Sequence, residues 1–382
     1  MALTQYKLVL PKTVFGGKNS AEKISEIVQN YRNITVFCDK GVKNAGVADL
    51  ILKRIADSGA AVNLVTDLPI EPTVHQAAEL IGSVRGHKTD LLIGIGGGST
   101  MDIAKLAGVL GTDDYTVYDL LDNPRLARKS VPTVMIPTTA GTGAEASMNA
   151  IVAVPERNLK VGIISTEMIP DYVILDSTLM SKLPSKVIAA SGIDAMAHAI
   201  ECYTSNKANY FSNMYALEAF YLIVNNLEKA YAHDADALEA MLNASFYAGI
   251  AITASGTTGV HALAYPLGGR YHITHGIGNA ILLMPVMRFN QPAIMPLLTA
   301  VYDRIEPCGG AKTDREKSDR VIERMGQIVK NVGIPDSLRG YNVSRDDLPI
   351  LVEAGMQVQR LLVNNKREIT PKDAEQIYLQ VL

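Results

Sequence analysis

The chain has 382 residues, with 36 Lys and Arg against 39 Asp and Glu, for a formal charge of −3. That near balance removes the electrostatic case for nucleic acid as a partner, because phosphate-backbone recognition needs a basic excess. A composition of 48% hydrophobic and 20% charged residues excludes a disordered chain.

The length predicts two domains. Three cysteines, Cys38, Cys202 and Cys308, fit neither a disulfide framework nor a sulfur-based metal site, which predicts a reducing, cytoplasmic location. The N-terminus lacks the apolar run of a signal peptide. No stretch of about 18 consecutive apolar residues predicts a membrane span. Of seven histidines, His261, His272 and His275 fall close together.

In chain order, the first half alternates β-branched runs with amphipathic ones. Ile34–Cys38, Ala61–Val65, Leu91–Ile95 and Val134–Pro137 read as strands. Ser20–Tyr31, Ala48–Ser58 and Val74–Arg85 between them read as helices. Strand, helix, strand at this spacing predicts a parallel sheet with right-handed crossovers. A further extended segment, Tyr172–Asp176, precedes Pro184. Beyond it the pattern becomes helical: Ser185–Tyr203, Ser212–Ala232, Ala237–Ala254, Pro292–Ile305, Arg315–Val332, Leu348–Leu362 and Pro371–Leu382. The predicted division is an α/β dinucleotide-binding domain over residues 1–180 and a helical metal- and substrate-binding domain over 181–382.

Four segments carry the chemistry. Leu91 to Lys105 is a buried strand, a turn containing Gly96, Gly97 and Gly98, and a helix start, with Ser99 as N-cap and Asp102 in a capping box. Such a turn lets backbone N–H groups approach a pyrophosphate at a helix N-terminus; a ligand-free strand–helix turn is the plainer alternative. Asp39 ends the Ile34–Cys38 strand, where a carboxylate can hold a ribose hydroxyl and repel a 2′-phosphate; a surface turn aspartate is the alternative. Pro137 to Ser147, with Thr138, Thr139 and Thr142, suits close contact with a polar ligand. Asp194 and His198, four apart on a helix, share one face. Alone they would read as a satisfied buried pair. With His261 and His275 they form a borderline site for Fe(II), Zn, Ni or Mn. The Gly-Pro segment after His261 is expected to turn the chain back toward His275. A nucleotide turn and a metal site together predict hydride transfer, the metal polarising an alcohol or carbonyl oxygen.

Together these segments resemble the iron-containing (group III) alcohol dehydrogenases. The resemblance runs from Val14-Phe-Gly-Gly through the glycine turn, Pro137 to Glu145, Gly192-Ile-Asp-Ala-Met-Ala-His-Ala-Ile-Glu and His261 to Asn279, to the tail Arg367-Glu-Ile-Thr. It implies the dehydroquinate synthase-like, iron-containing alcohol dehydrogenase fold: an α/β N-terminal dinucleotide-binding domain plus an all-α C-terminal domain. It implies metal ligands at Asp194, His198, His261 and His275, with Fe(II) ahead of Zn or another divalent metal. It implies NAD(H) contacts at Asp39, Gly96, Gly97, Gly98, Ser99, Asp102, Thr138, Thr139, Thr142, Lys160 and Leu179, and a homodimer or larger homo-oligomer. Asn149 matches a position lining the substrate pocket. Tyr265 stands where many members carry a second histidine, and His272 where asparagine is frequent. Asn149, Tyr265 and His272 are therefore the catalytic candidates, with Tyr265 or His272 on the proton path. Met284-Pro285 and Asn364-Asn-Lys-Arg-Glu also depart from the family pattern. Arg270 points to an acidic group on a small polar alcohol or aldehyde substrate, or is a solvated or interface charge. Two other readings compete: a dehydroquinate synthase-type cyclase, for which no cluster of Lys and Arg flanks the ligand segments, and a non-catalytic metal- or nucleotide-binding protein.

Overall fold

The structure is a computed structural model that describes residues 6–382 except Asp113 and Asn158. It divides into two compact units, one over Val9–Pro184 and one over Ser185–Leu382 with residues 6–8. The first contains strands β1 (Thr13–Gly16), β2 (Asn33–Cys38), β3 (Ala61–Val65), β4 (Leu91–Gly96), β5 (Thr133–Pro137), β6 (Asn149–Val154), β7 (Leu159–Ile164) and β8 (Tyr172–Leu175). Six of them form a parallel sheet in the order β1-β8-β5-β4-β2-β3. Every residue of β4 and β5 is buried, as a parallel sheet covered on both faces requires. Successive side chains of β4 enter opposite cores. Leu91, Ile93 and Ile95 join Ile24, Ile51 and Ile55, whereas Leu92 joins Ile81, Ile103 and Leu106.

The order of this sheet reverses at one place. The chain passes outward from β2 to β3, then crosses back to lay β4 on the other side of β2. The carboxyl ends of β2 and β4, at Cys38 and Gly96, therefore flank the crevice in which open parallel sheets bind ligands. β6 and β7 form a separate antiparallel ribbon that the sequence pattern does not announce. Ala150, Val152 and Val154 face a core, but Ile151 and Ala153 on the other face are apolar too, which masks the period of two. The expected Ser20–Tyr31 helix is a 3-10 turn, Ser20–Lys23, followed by a short helix, Ile24–Val28.

The second unit is built from helices Ser185–Thr204, Tyr210–Tyr231, Ala235–Ser255, Gly259–Tyr271, His275–Ile305, Asp314–Asn331, Leu348–Gln357, Gln359–Leu362 and Pro371–Leu379. Two corrections to the sequence reading lie here. The Gly-Pro segment after His261 does not turn the chain: Pro266 is inside the Gly259–Tyr271 helix, and the turn is made at His272, whose φ of 54° is left-handed. The next helix begins at His275 rather than Pro292 and runs through Pro285, Pro292 and Pro296. Prolines that read as helix breaks in sequence are carried here by tertiary packing. Two helices, Ala235–Ser255 and His275–Ile305, are long and apolar enough to cross a membrane by length and composition, but most of each apolar window is buried inside the chain. They are packed as core helices are.

Candidate metal and dinucleotide sites

Three helices of the second unit supply the four expected ligands. Asp194 and His198 lie one turn apart on Ser185–Thr204. His261 is in the first turn of Gly259–Tyr271, and His275 opens the next helix. One ligand atom from each lies within 4.8 Å of all the others. From Asp194 Oδ1 the distances are 3.6 Å to His261 Nε2, 3.7 Å to His275 Nε2 and 4.0 Å to His198 Nε2. Ligands at about 2.1 Å from a tetrahedral ion would stand roughly 3.4 Å apart, so the cage is near the size of a four-coordinate divalent ion. The rings of His198 and His261 stack at 4.4 Å. Asp194, His198 and His261 are buried, whereas the His275 side chain is 27% exposed.

The electrostatics fit a cation. Burial alone would raise the Asp194 carboxyl, but His198, His275 and His261 hold it well below the usual carboxylate range. Burial alone would lower His261, but Glu201 and Asp194 raise it to about 10. Asn279, one turn after His275, donates its amide to Asp194 Oδ1 at 2.7 Å and approaches His261 Nε2 and His275 Nε2 at 3.1 and 3.2 Å. Its Oδ1 is buried without a hydrogen-bond partner among the described residues. Asp194, His198, His261 and His275 together offer one carboxylate and three imidazoles, a donor set that suits a borderline divalent metal.

Several residues around the cluster were not singled out by sequence reasoning. Glu201 continues the Asp194–His198 face of its helix and is fully buried against His261. Glu201 ends the Gly192–Glu201 motif and Asn279 ends the His261–Asn279 segment, but neither spacing signals a role. Arg360 donates to the Tyr265 hydroxyl at 3.5 Å, a pairing across 95 positions that no local pattern signals. Tyr265 itself is buried, its ring 5.9 Å from that of His275. His272 is exposed and lies outside the four-residue cluster. Its place at the turn therefore gives it no part among the four grouped ligands. Arg270 is exposed beside the Tyr271 ring; the neighbouring Asp347 carboxyl is lowered chiefly by the Ser344 N–H it accepts, with the Arg270 charge the smallest contribution.

In the first unit the structure gathers most of the expected nucleotide residues at the switch point. Asp39 caps the Lys40–Asn44 helix, accepting from Val42 N–H at 2.9 Å. Its Oδ2 lies 2.9 Å from where a Gly96 Cβ would stand, so strand ends β2 and β4 present them side by side. Thr138 N–H donates to the Gly96 carbonyl at 3.0 Å. Thr139 packs toward Gly97, and Thr142 crowds Gly98, whose Cβ would lie 2.9 Å from the Thr142 methyl. The cap of the following helix differs from the expectation. Gly97, not Ser99, is the N-cap, and no side chain caps it. Ser99 instead accepts from Glu71 N–H at 3.1 Å. Asp102 makes no capping box: it accepts from Ile151 N–H at 2.9 Å and pairs with Lys105 at 3.0 Å. Burial raises its carboxyl against both partners. Lys105, fully buried, also donates to the Ala144 and Asn149 carbonyls, pinning the hydroxyl-rich loop and the start of β6, where Asn149 lies. Lys160 pairs with Glu71 at 2.7 Å, and burial pushes the Glu145 carboxyl up to about 7. Leu179 is buried in the same core as Ile93 and Ile95.

A parallel sheet with a glycine turn at its switch point, in one chain with a buried carboxylate–imidazole cage, points to the class of dinucleotide- and metal-dependent enzymes. Comparison with known proteins narrows this. The chain belongs to the iron-containing alcohol dehydrogenase family, residues 11–177 matching "Iron-containing alcohol dehydrogenase" and residues 188–382 "Fe-containing alcohol dehydrogenase family, C-terminal". Long-chain-alcohol dehydrogenase 1 of Geobacillus thermodenitrificans is 34% identical over 352 residues, 91% of this chain and 89% of that protein. Lactaldehyde reductase of Escherichia coli is 30% identical over 380 residues, 97% of this chain and 98% of that one. The structure of sulfoacetaldehyde reductase from Bifidobacterium kashiwanohense, in complex with NAD+, aligns with a TM-score of 0.87 at 25% identity over 99% of both chains. The family match separates this chain from the cyclase and non-catalytic alternatives.

Proposed function

We infer that this chain transfers hydride between NAD(H) and a small polar alcohol or aldehyde, using a divalent ion held by Asp194, His198, His261 and His275. The observation that carries this reading is the convergence of those four ligand atoms within 4.8 Å. When bound there, such an ion supplies Lewis acidity toward an alcohol or carbonyl oxygen, and NAD(H) accepts or provides the hydride. Asp194 brings the one negative charge among the four ligands, and the three imidazoles bring neutral donors. The set accepts Zn as well as Fe(II); the family favours iron.

Tyr265 is the proposed substrate-side residue. Its ring lies near His275 and its hydroxyl is engaged by Arg360, an arrangement suited to orienting a polar substrate and to passing its proton. Asn149 is proposed to line the pocket, its backbone fixed by Lys105. The proposed NAD(H) contacts are Asp39, Gly96 to Ser99, Thr138, Thr139, Thr142 and Lys160. Asp102 and Leu179 support them from within the protein interior. The relatives' names span long-chain, hydroxylated and sulfonated substrates, so the substrate is read from Tyr265 and Arg360: a diol or hydroxyaldehyde, with sulfonate or carboxylate analogues to be included in the test. The proposal places the enzyme in the cytoplasm, consistent with three free cysteines, and takes a homodimer or larger from the family resemblance.

The test is a panel of alcohols and diols followed through NADH on iron-loaded enzyme without oxygen. Turnover of short polar alcohols is the expected result. Absence of NADH from every member would overturn the reading. Asp39 sets the cofactor choice. Asp39→Gly keeps an acceptable helix N-cap while removing the carboxylate. Loss of a charged hydrogen bond, worth about 1.5–3 kcal/mol, is expected to lower the NAD over NADP preference in kcat/KM about 10–100-fold. An unchanged ratio would remove Asp39 from ribose recognition.

A further inference from the structure

We propose that Glu201 is the positioning residue of the metal site, holding His261 as an Nδ1–H donor so that its Nε2 lone pair faces the other ligands. The inference rests on the metal reading above and adds a residue to it.

Residues 194, 198 and 201 follow the i, i+4, i+7 spacing of one helix face. The same Ser185–Thr204 face therefore carries two ligands and Glu201. Glu201 is 0% exposed. A buried carboxylate is tolerated only when its lone pairs are taken up, and here they are. Oε1 accepts from Thr258 O–H at 2.7 Å, Val260 N–H at 2.7 Å and Thr258 N–H at 3.2 Å. Thr258 is the N-cap of the Gly259–Tyr271 helix and Val260 lies in its first turn. Those N–H groups have no acceptor within the helix, and the helix dipole favours an anion beside them. The backbone donors can only donate, so Oε1 is an acceptor throughout.

The other oxygen, Oε2, is hydrogen-bonded to His261 Nδ1. A carboxylate oxygen there accepts, which keeps a ring proton on Nδ1 and makes Nε2 the nitrogen whose lone pair an ion would take in exchange for a proton. That nitrogen is the one 3.6 Å from Asp194 Oδ1 and approached by the Asn279 amide at 3.1 Å. A carboxylate behind a ligating imidazole fixes its tautomer and raises its basicity, and losing it typically costs 10–100-fold in metal affinity. The rival role is a plain helix cap, in which His261 would orient itself.

Glu201→Gln separates the two. Its carbonyl oxygen still accepts from Thr258 and Val260, so the cap survives. Its amide offers N–H to His261 Nδ1, which demands the opposite tautomer and places a proton on Nε2. The expected result, read by chelator competition with Zn(II) and Fe(II), is affinity lower by about 10–100-fold, with thermal unfolding of the metal-stripped protein close to wild type. Glu201→Asp, which keeps the charge, is expected to bind better than the Gln variant. Wild-type affinity in Glu201→Gln, or Asp binding no better than Gln, would overturn the proposal while leaving the metal site standing. No divalent-ion binding by the wild type would overturn both. If the variants do not fold, ¹⁵N spectra of histidine-labelled, zinc-loaded wild-type protein give the same answer. A protonated Nδ1 with coordinated Nε2 on His261 is expected; coordination through Nδ1 would contradict it.

Discussion

Asp194→Asn is expected to remove the bound metal and turnover together. The substitution keeps the side chain's shape but leaves the cage with neutral ligands only. Three imidazoles that now surround a carboxylate at 3.6–4.0 Å would surround a neutral amide. Lewis acidity contributes several kcal/mol of transition-state stabilisation, so kcat/KM is expected to fall about 10³–10⁴-fold. Metal content should fall in parallel. NAD(H) binding should persist, because the glycine turn belongs to the other compact unit, with its own cores. A variant that kept full metal and full turnover would remove Asp194 from the site.

Gly276→Ala is expected to have the next largest effect, though its side chain touches no ligand. A Cβ at Gly276 would stand 2.3 Å from the Ala190 carbonyl oxygen and 2.8 Å from its carbon. Both contacts are backbone, so no rotamer can relieve them, and the two helices would have to part by about 1 Å to restore ordinary contact. Overpacking of this kind costs about 1–3 kcal/mol, or about 2–4 °C of Tm per kcal/mol for a unit this size. The functional cost follows from position. Gly276 adjoins His275, and Ala190 lies one turn before Asp194 on the Ser185–Thr204 helix. Parting the helices therefore widens the 3.7 Å spacing of His275 and Asp194. A displacement of about 1 Å can cost about 10²-fold in rate. Metal titration, calorimetry and steady-state rates together check this. Unchanged affinity and rate would show that the close helix crossing does not set the cage.

The sequence made the site more legible than the fold around it. Asp194 and His198 announce themselves because four residues is one helical turn, and Gly96 to Gly98 because few structures need three consecutive glycines. Glu201 sits on the same helix face, but a single glutamate in an apolar helix carries no label. Its meaning comes from Thr258, Val260 and His261, some 57–60 positions away. Arg360 beside Tyr265 is hidden for the same reason. Ser99 shows the opposite error. A serine after glycines fits the local capping rule, yet its hydroxyl is taken by the Glu71 N–H, and the cap and helix start fall two residues earlier. The helical pattern in the sequence shows only Pro292–Ile305, whereas the helix runs from His275; the missing N–H groups of Pro285 and Pro292 are outweighed by burial along it. His272 is a candidate for the proton path by its nearness to His275 in sequence. The left-handed turn it makes instead leaves it exposed, outside the four-residue cluster.

The most direct test of the metal-dependent reaction is to strip the wild-type protein with a chelator, without oxygen, and return Fe(II) in steps while following NADH formation from a responsive alcohol. Activity that vanishes on stripping and rises in proportion to bound iron, saturating near one ion per chain, is the predicted result. Undiminished turnover by the stripped protein would contradict the account.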